Sequence, residues 1–365
     1  MTTLAPDHTR PPSRTSSSRT SSPTPSPTPS RAPSRTPSDF PPLVARVKAA
    51  GLLDRRRAHY AVSIGVNLLV GAAIVAGVVV LGDSWWQLGL AVLAAVFSAQ
   101  SGFLGHDAGH QQIARTHRAN RALGFLHGDL LLGMSYGWWT HKHNRHHANP
   151  NHEDKDPDVS AGVFVWSAEQ AAGRTSRRAE WATRNQHLLF FPLLLLEGLH
   201  LKVASWRTLP QRAPKDRWLE GTLLTAHLVG YLSLVFMSMP FAIGLAFVVV
   251  HQALFGLYLG SSFAPNHKGM PTLKAGDQLD YLRKQVLTSR NVRGGTVTDI
   301  ALGGLNYQIE HHLFPSMPTP NLPKAQPVVR AYCAEIGVPY EETGLVASYA
   351  IALRHMHAVG EPLRV

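Results

Sequence analysis

The sequence predicts an all-α polytopic membrane protein: four transmembrane helices arranged as two hairpins, with a histidine-rich helical cap on the cytosolic side. Three observations carry this. Apolar blocks long enough to cross a bilayer come in two pairs, each joined by a short turn. Lys and Arg flank the blocks on one side only. Three histidine clusters at helical spacing each adjoin an apolar segment.

At 365 residues the chain holds one large domain or two ordinary ones. A net charge of +12 invites a nucleic-acid reading, but 44% of the residues are hydrophobic and fall in long blocks, so no nucleic-acid partner is expected. Charge of this kind is what the positive-inside rule produces. Cys333 is the single cysteine, which excludes an intramolecular disulfide and a cysteine-rich zinc or iron–sulfur site. Histidine, at 20 residues, is the unusual supply.

Three parts are expected: a tail over 1–39, a main domain over 40–345 and a C-terminal extension over 346–365. The tail is rich in Ser, Thr, Pro and Arg, without an apolar run. It cannot bury enough surface to offset its chain entropy and reads as disordered. It lacks a signal-peptide h-region, and its five arginines leave a solvated tail as the plainer reading over lipid binding. Phe40 to Arg57 is a basic, partly amphipathic lead-in. Tyr60 to Leu81 is the first span and Leu88 to Leu104 the second, separated by a turn at Gly82, Asp83 and Ser84. Trp85 and Trp86 read as interfacial anchors. Small residues along the second block suit close helix contact.

Ala122 to Trp139 reads as one helix dipping into the interface. Val159 to Asn185 reads as an exposed basic connector. Leu188 to Leu201 is too short to span, at about 14 residues, and is broken by Glu197. Trp218 to Met237 and Phe241 to Ser262 form the second spanning pair, with Pro240 between them. The turns assigned to the outside carry no Lys or Arg. The opposite flanks carry many, among them Arg55 to Arg57, Lys142, Arg145, Lys268 and Arg293. That side is therefore cytosolic. Four crossings put all three histidine clusters on that one face.

His106 and His110 are an i, i+4 pair. His143, His146 and His147 stand at i, i+3, i+4, and Gln308, His311 and His312 repeat that spacing. His267 follows the fourth block directly, beside Asn266. Eight imidazoles with the Gln308 amide exceed one metal's needs and suit two. Imidazole accepts Fe, Zn, Cu or Ni, and spacing does not choose among them. A structural zinc site needs about four ligands. A ligand set under apolar helices is placed to act on something apolar, and oxidation with O2 needs a redox metal. Both points favour iron.

His141 points off the triplet face, and His117, His127, His152, His187 and His200 lack a partner at helical spacing, so plain surface or core roles are expected. His227 and His251, inside spans, are read as hydrogen-bonded packing residues. Asp107, Asp154, Asp156 and Glu310 are candidates to hold the distal ring nitrogens of ligating histidines. Tyr136, Trp138 and Trp139 read as an interfacial belt.

HDAGH at His106–His110, HNRHH at His143–His147 and QIEHHLFP at Gln308–Pro315 resemble, in order and gap, the three boxes of the membrane fatty acid desaturase superfamily, in a glutamine-first form similar to its front-end and bacterial acyl-CoA or acyl-lipid branch. The resemblance covers about Phe40 to Tyr340. It implies two non-haem irons, O2 as co-substrate and a long-chain acyl-CoA or acyl lipid as substrate. His267, with Asn266 beside it, occupies the place of a further family ligand. Many front-end members carry a fused HPGG haem domain, and no such motif occurs here. Electrons are then expected from a separate NAD(P)H-linked carrier, a ferredoxin or flavoprotein reductase. The expected activity is O2-dependent desaturation to a cis double bond, in a multi-pass protein of the cell (plasma) membrane with a cytosolic active site. The alternatives are a lipid or carotenoid hydroxylase or ketolase, and a metal-transporting membrane protein, which would place its ligands near mid-bilayer.

Overall fold

The computed structural model describes residues 38–364, so the expected disordered tail lies almost wholly outside the described residues. Sixteen α-helices follow in order. α1 is Phe40–Ala49, α2 Arg57–Leu81, α3 Gln87–Gly109, α4 His117–Gly124 and α5 Tyr136–Ala148. α6 is Ala168–Ala172, α7 Arg177–Arg184, α8 Gln186–Leu194, α9 Glu197–Thr208, α10 Pro214–Ser238 and α11 Phe241–His267. α12 is Tyr281–Leu287, α13 Thr296–Ala301, α14 Gln308–Leu313, α15 Leu322–Glu335 and α16 Leu345–Val359. Two three-residue strands, β1 Asn291–Arg293 and β2 Glu342–Gly344, pair in parallel with Asn291 opposite Glu342.

Helices α2, α3, α10 and α11 are long and apolar enough to cross a membrane, as the four blocks predicted. Each runs a few residues beyond its apolar block; in α3 and α11 the added turns carry His106 and His267. α3 and α11 are the inner pair: 50% and 39% of their apolar windows are buried, against 17% for α2 and 11% for α10. Inward residues such as Ala95, Ala99, Phe103, Phe255 and Leu259 pack between them. The outer helices leave Leu69, Val80 and Val229 exposed, as lipid-facing surface requires. Trp85 and Trp86 stand exposed at the first turn.

The Leu188–Leu201 run is a broken element. Pro192 lies in α8, and α9 leaves at 73° after Leu195 and Leu196. The break sits against α11 backbone to backbone: a Cβ on Gly256 would lie 2.5 Å from both the Gly198 nitrogen and the Leu194 carbonyl oxygen. Only glycine admits that approach.

Two expectations change. Ala122 to Trp139 is not one helix. α4 ends at Gly124, a π-helical turn runs over Phe125–Leu132, Gly133 turns at φ +72° and Ser135 caps α5. The loosened carbonyls find partners: Leu130 accepts from His227 Nδ1 at 2.9 Å, and Leu132 accepts from Lys202 Nζ. Burial lowers the Lys202 ammonium to about 7. His227 is thus the packing residue expected, as is His251, which bonds Ser98 Oγ at 3.0 Å and Tyr231 at 2.9 Å. The second change concerns 159–185, which is more than an exposed connector. It forms α6 and α7, and Val165 is buried because Gln186 bonds its N–H and its carbonyl, at 3.0 and 3.1 Å.

Beyond the spans, α1, α12, α14 and α15 share a hydrophobic cluster of Leu43, Leu282, Ile309, Leu313 and Val329. α16 returns to pack on α8 and α11, through Met356. Gly256→Val is expected to push α9 off α11 and cost at least ~1–3 kcal/mol. A lower melting temperature in detergent and a smaller monodisperse fraction check this.

Candidate metal centre

The histidines converge because four elements end at one level. α3 carries His106 and leaves His110 at its C-cap. α5 turns His143, His146 and His147 to its buried side, one helical turn deep. α11 ends at His267, and Arg290 caps that end with bonds to the carbonyls of Pro265 at 2.9 Å and Lys268 at 2.7 Å. α14 is short and wholly buried, and carries Gln308, His311 and His312.

Two ligand groups result. His106, His110, His143 and His311 offer nitrogens within 4.8 Å of one another, and His146, His267 and His312 do the same. His147 lies between them. Its Nε2 is 3.0 Å from that of His143 and 3.1 Å from that of His311, and its ring stacks on His312 at 4.2 Å. All eight predicted imidazoles therefore meet in one nest, and all are buried.

Four of the second nitrogens are held from outside, while that of His147 is buried without a partner. His106 Nδ1 bonds Asp107 at 3.0 Å, His146 Nδ1 bonds Asp156 at 2.9 Å, His267 Nδ1 donates to the Thr288 carbonyl at 3.0 Å and His312 Nδ1 to Gln285 Oε1 at 3.0 Å. This is the usual support of metal-binding histidine, which fixes the tautomer and aims the other nitrogen. Asp107 is itself set by Tyr60 OH at 2.9 Å and Thr319 Oγ1 at 2.7 Å.

The residues fit a metal pair on a specific ground. His267 and His312 both spend their Nδ1 protons on carbonyl oxygens, yet their Nε2 atoms face each other at 3.1 Å. Both must then present lone pairs to each other; the Gln308 amide meets that of His267 at 2.9 Å, and a cation would relieve what is left between the two rings. His106 Nε2 is buried with no hydrogen-bond partner, a costly state for a core nitrogen that a metal would relieve. Burial, with the neighbouring imidazoles adding to it, holds His110, His143, His147, His311 and His312 well below the usual histidine value. They are neutral at physiological pH, so a metal displaces no protons from them.

Other candidates sort less evenly. Gln308 sits beside the second group with its amide nitrogen 2.9 Å from His267 Nε2. Asn266 Nδ2 holds its oxygen at 3.1 Å, and the Leu305 carbonyl orients Asn266 at 2.7 Å. Glu310 is not a ring partner. Asn291 and Tyr340 bond it at 2.7 Å each, and burial raises its carboxyl to about 7. Asp154 touches none of the eight rings among the described residues. Its N–H donates to His152 instead.

Asp156 is the true ring partner, fully buried rather than solvated. Burial opposes its charge, but the bond from His146 keeps the carboxylate below its usual range. Asp158 lies behind it, paired with Lys142 at 2.5 Å, while Lys268 donates to the Asp158 carbonyl at 2.9 Å and covers Trp166. The run Asp154-Lys-Asp156-Pro-Asp158 was the visible signal for this layer. Gln285 and Thr288 had none. Trp139 leaves the interfacial belt expected for it: four residues before His143, it stacks on that ring at 4.5 Å.

The sequence pattern of the family described as fatty acid desaturase matches residues 83–344, which contain every residue of the nest. The chain is 30% identical over 336 residues to an acyl-lipid (9-3)-desaturase of Physcomitrium patens, covering 88% of this chain and 63% of that protein. It is 30% identical over 332 residues to fatty acid desaturase 3 of Bos taurus, with 88% and 73% covered. A delta 8-(E)-sphingolipid desaturase of Emericella nidulans shares 29% over 277 residues, with 70% and 50% covered. The chain thus spans less than two thirds of the moss relative and half of the fungal one.

Asp156→Asn is expected to weaken metal binding about 10–100-fold by loosening His146, read by metal content after dialysis against a graded chelator. The metal-free protein should also melt lower at pH 5.5 than at pH 7.5. Its buried rings bind protons less readily than unfolded histidine, whose value is about 6.5, so their contribution is present above that value and lost as pH falls through it.

Proposed function

We propose the function of this chain from one premise: it belongs to the fatty acid desaturase family. On that premise it is a membrane oxidoreductase that removes two hydrogens from adjacent carbons of a long acyl chain and leaves a cis double bond. The observation that carries this is the nest itself: buried, neutral imidazoles gathered at the ends of helices long enough to cross a bilayer. The acyl chain arrives as an acyl lipid or acyl-CoA. The moss relative's name supports the lipid form.

His106, His110, His143 and His311 would hold one non-haem iron, and His146, His267 and His312 the other. His147 stands between them, and the Gln308 amide is a further candidate for the second. Bound iron supplies the reduction of O2 that lets hydrogen leave an unactivated carbon. The balance requires two electrons and two protons from a donor, and O2 leaves as two waters. A ferredoxin or flavoprotein reductase fed by NAD(P)H meets that need.

The remaining work falls to this chain's side chains. Asp107 and Asp156 hold His106 and His146 in one tautomer and one orientation. Phe103, Leu132, Leu259 and Leu305 keep the ground beside the nest apolar, which suits a hydrocarbon and excludes water. Position is what the protein contributes, since the bond that lies beside the metals is the one that reacts. The reading places the active site on the cytosolic side of the cell membrane, from the Lys and Arg bias at Lys142, Arg145, Lys268 and Arg293.

His146→Ala is expected to abolish product in cells that still insert the protein at normal levels. Fatty-acid profiling should show a mass loss of two hydrogens for wild type only, and the purified protein should carry two irons per chain. Gain of an oxygen would instead mark a hydroxylase. Loosely held zinc with no product would mark a metal-handling protein.

A further inference from the structure

Residues 294–304 link β1 to α14 and hold none of the histidines. They read as a six-residue helix between two glycine pairs, Gly294-Gly295 and Gly303-Gly304. α13 has no buried residue, and its two large apolar side chains, one turn apart, stand in the open: Val297 is 82% exposed and Ile300 62%. In water such a pair is a liability. Its position along the spans gives it a partner.

Gln100 Nε2 donates to the Ile300 carbonyl at 3.0 Å and to Tyr258 OH at 3.1 Å. Gln100 precedes His106 by six residues on α3, so it sits about 9 Å further along the helix, away from the nest and toward the bilayer core. It also continues the face of Leu93 and Val96, which are 52% and 43% exposed on a spanning helix and therefore lie against lipid. α13 is thus tied to the lipid-facing stripe of α3, at a depth where its own exposed side chains meet hydrocarbon. Its far end presses on the apolar ground beside the nest. Gly303 has φ +58°, and a Cβ there would lie 2.4 Å from the Phe103 ring. Leu305, two residues on, orients Asn266, which holds Gln308 against His267.

We propose that α13 is a lipid-contacting lid: Val297 and Ile300 face the hydrocarbon edge of the bilayer, and the segment covers the side of the nest by which an acyl chain passes between membrane and ligands. The lipid contact stands on geometry alone, while the passage of an acyl chain rests on the function proposed above. The glycine pairs are the hinges. The turn through Gly303 and Leu305 connects movement of the lid to the second ligand group.

Two measurements test it. Val297→Cys, Val96→Cys and Arg293→Cys are labelled with a small fluorophore on the full chain in phosphatidylcholine nanodiscs. Cys333 stays unlabelled because it is buried, with its thiol pushed up to about 11. The label at 297 should be quenched by nitroxide-chain lipid as strongly as the label at 96, and at least threefold less by iodide than the label at 293. Iodide quenching at 297 equal to that at 293 overturns the lipid contact. Ile300→Asp should then slow double-bond formation on a bilayer-embedded acyl lipid at least fivefold, with metal content and melting temperature unchanged. An unchanged rate overturns the lid. If wild type forms no double bond on any acyl substrate, the function proposed above fails and the lid's role with it, while the quenching still decides whether α13 touches lipid.

Discussion

The structure depends on holding imidazole nitrogens closer together than their own lone pairs favour. The Nε2 atoms of His267 and His312 stand 3.1 Å apart although both rings give their Nδ1 protons to carbonyl oxygens. Left to themselves, two rings in those tautomers would separate or rotate to share a proton. They stay because each is built into a helix whose other contacts are already made. Thr288 and Gln285 take the outward Nδ1 protons of this pair, as Asp107 and Asp156 do for His106 and His146, and turn the inward nitrogens into acceptors, of which His267 Nε2 meets the Gln308 amide. The scaffold thus prepares a set of lone pairs that a metal can collect without reorganising the protein.

That requirement explains features of the spans that have no local reason. α3 and α11 are the most buried of the four, and both end in histidines of the nest. The glycine contact of α9 on α11 and the small residues along α3 let backbones approach, which resists sliding better than interdigitated long side chains in a lipid setting. The π-helical turn before α5 offsets the chain by a fraction of a turn, and its freed carbonyls are tied by His227 and Lys202. Ser135 and Glu220 then hold the start of α5: Ser135 caps it through Trp138, and Glu220 takes the Ser135 hydroxyl and the Gly137 N–H. The helix with His143, His146 and His147 therefore starts from a fixed point and is capped at Asn149.

Much of this was legible in the residues. The apolar blocks marked the spans to within a few residues, because hydrocarbon thickness sets a length that no packing detail overrides. The i, i+3, i+4 spacing marked the histidines that gather, because helix geometry puts such residues on one side whatever surrounds them. Misreadings came where burial decided. Asp156 and Asp154 look alike in sequence, and only the fold of the 149–158 loop sends one to His146 and the other to solvent. Glu310 sits inside the third cluster, yet α14 turns it away toward Asn291 and Tyr340. Trp139 looked like one of an interfacial group until α5 laid it on His143.

Composition and periodicity therefore determined the spans, their pairing into hairpins and the histidines that gather at their ends, since each of these follows from a local length or angle. The tertiary structure alone decided how the eight rings divide around two positions, which groups take their outer nitrogens and where α13 rests. The ring partners lie up to 27 residues from their histidines, and contacts such as His147 with His311 or Gln100 with Ile300 join segments more than a hundred residues apart, beyond the reach of any short-range rule of helix or strand.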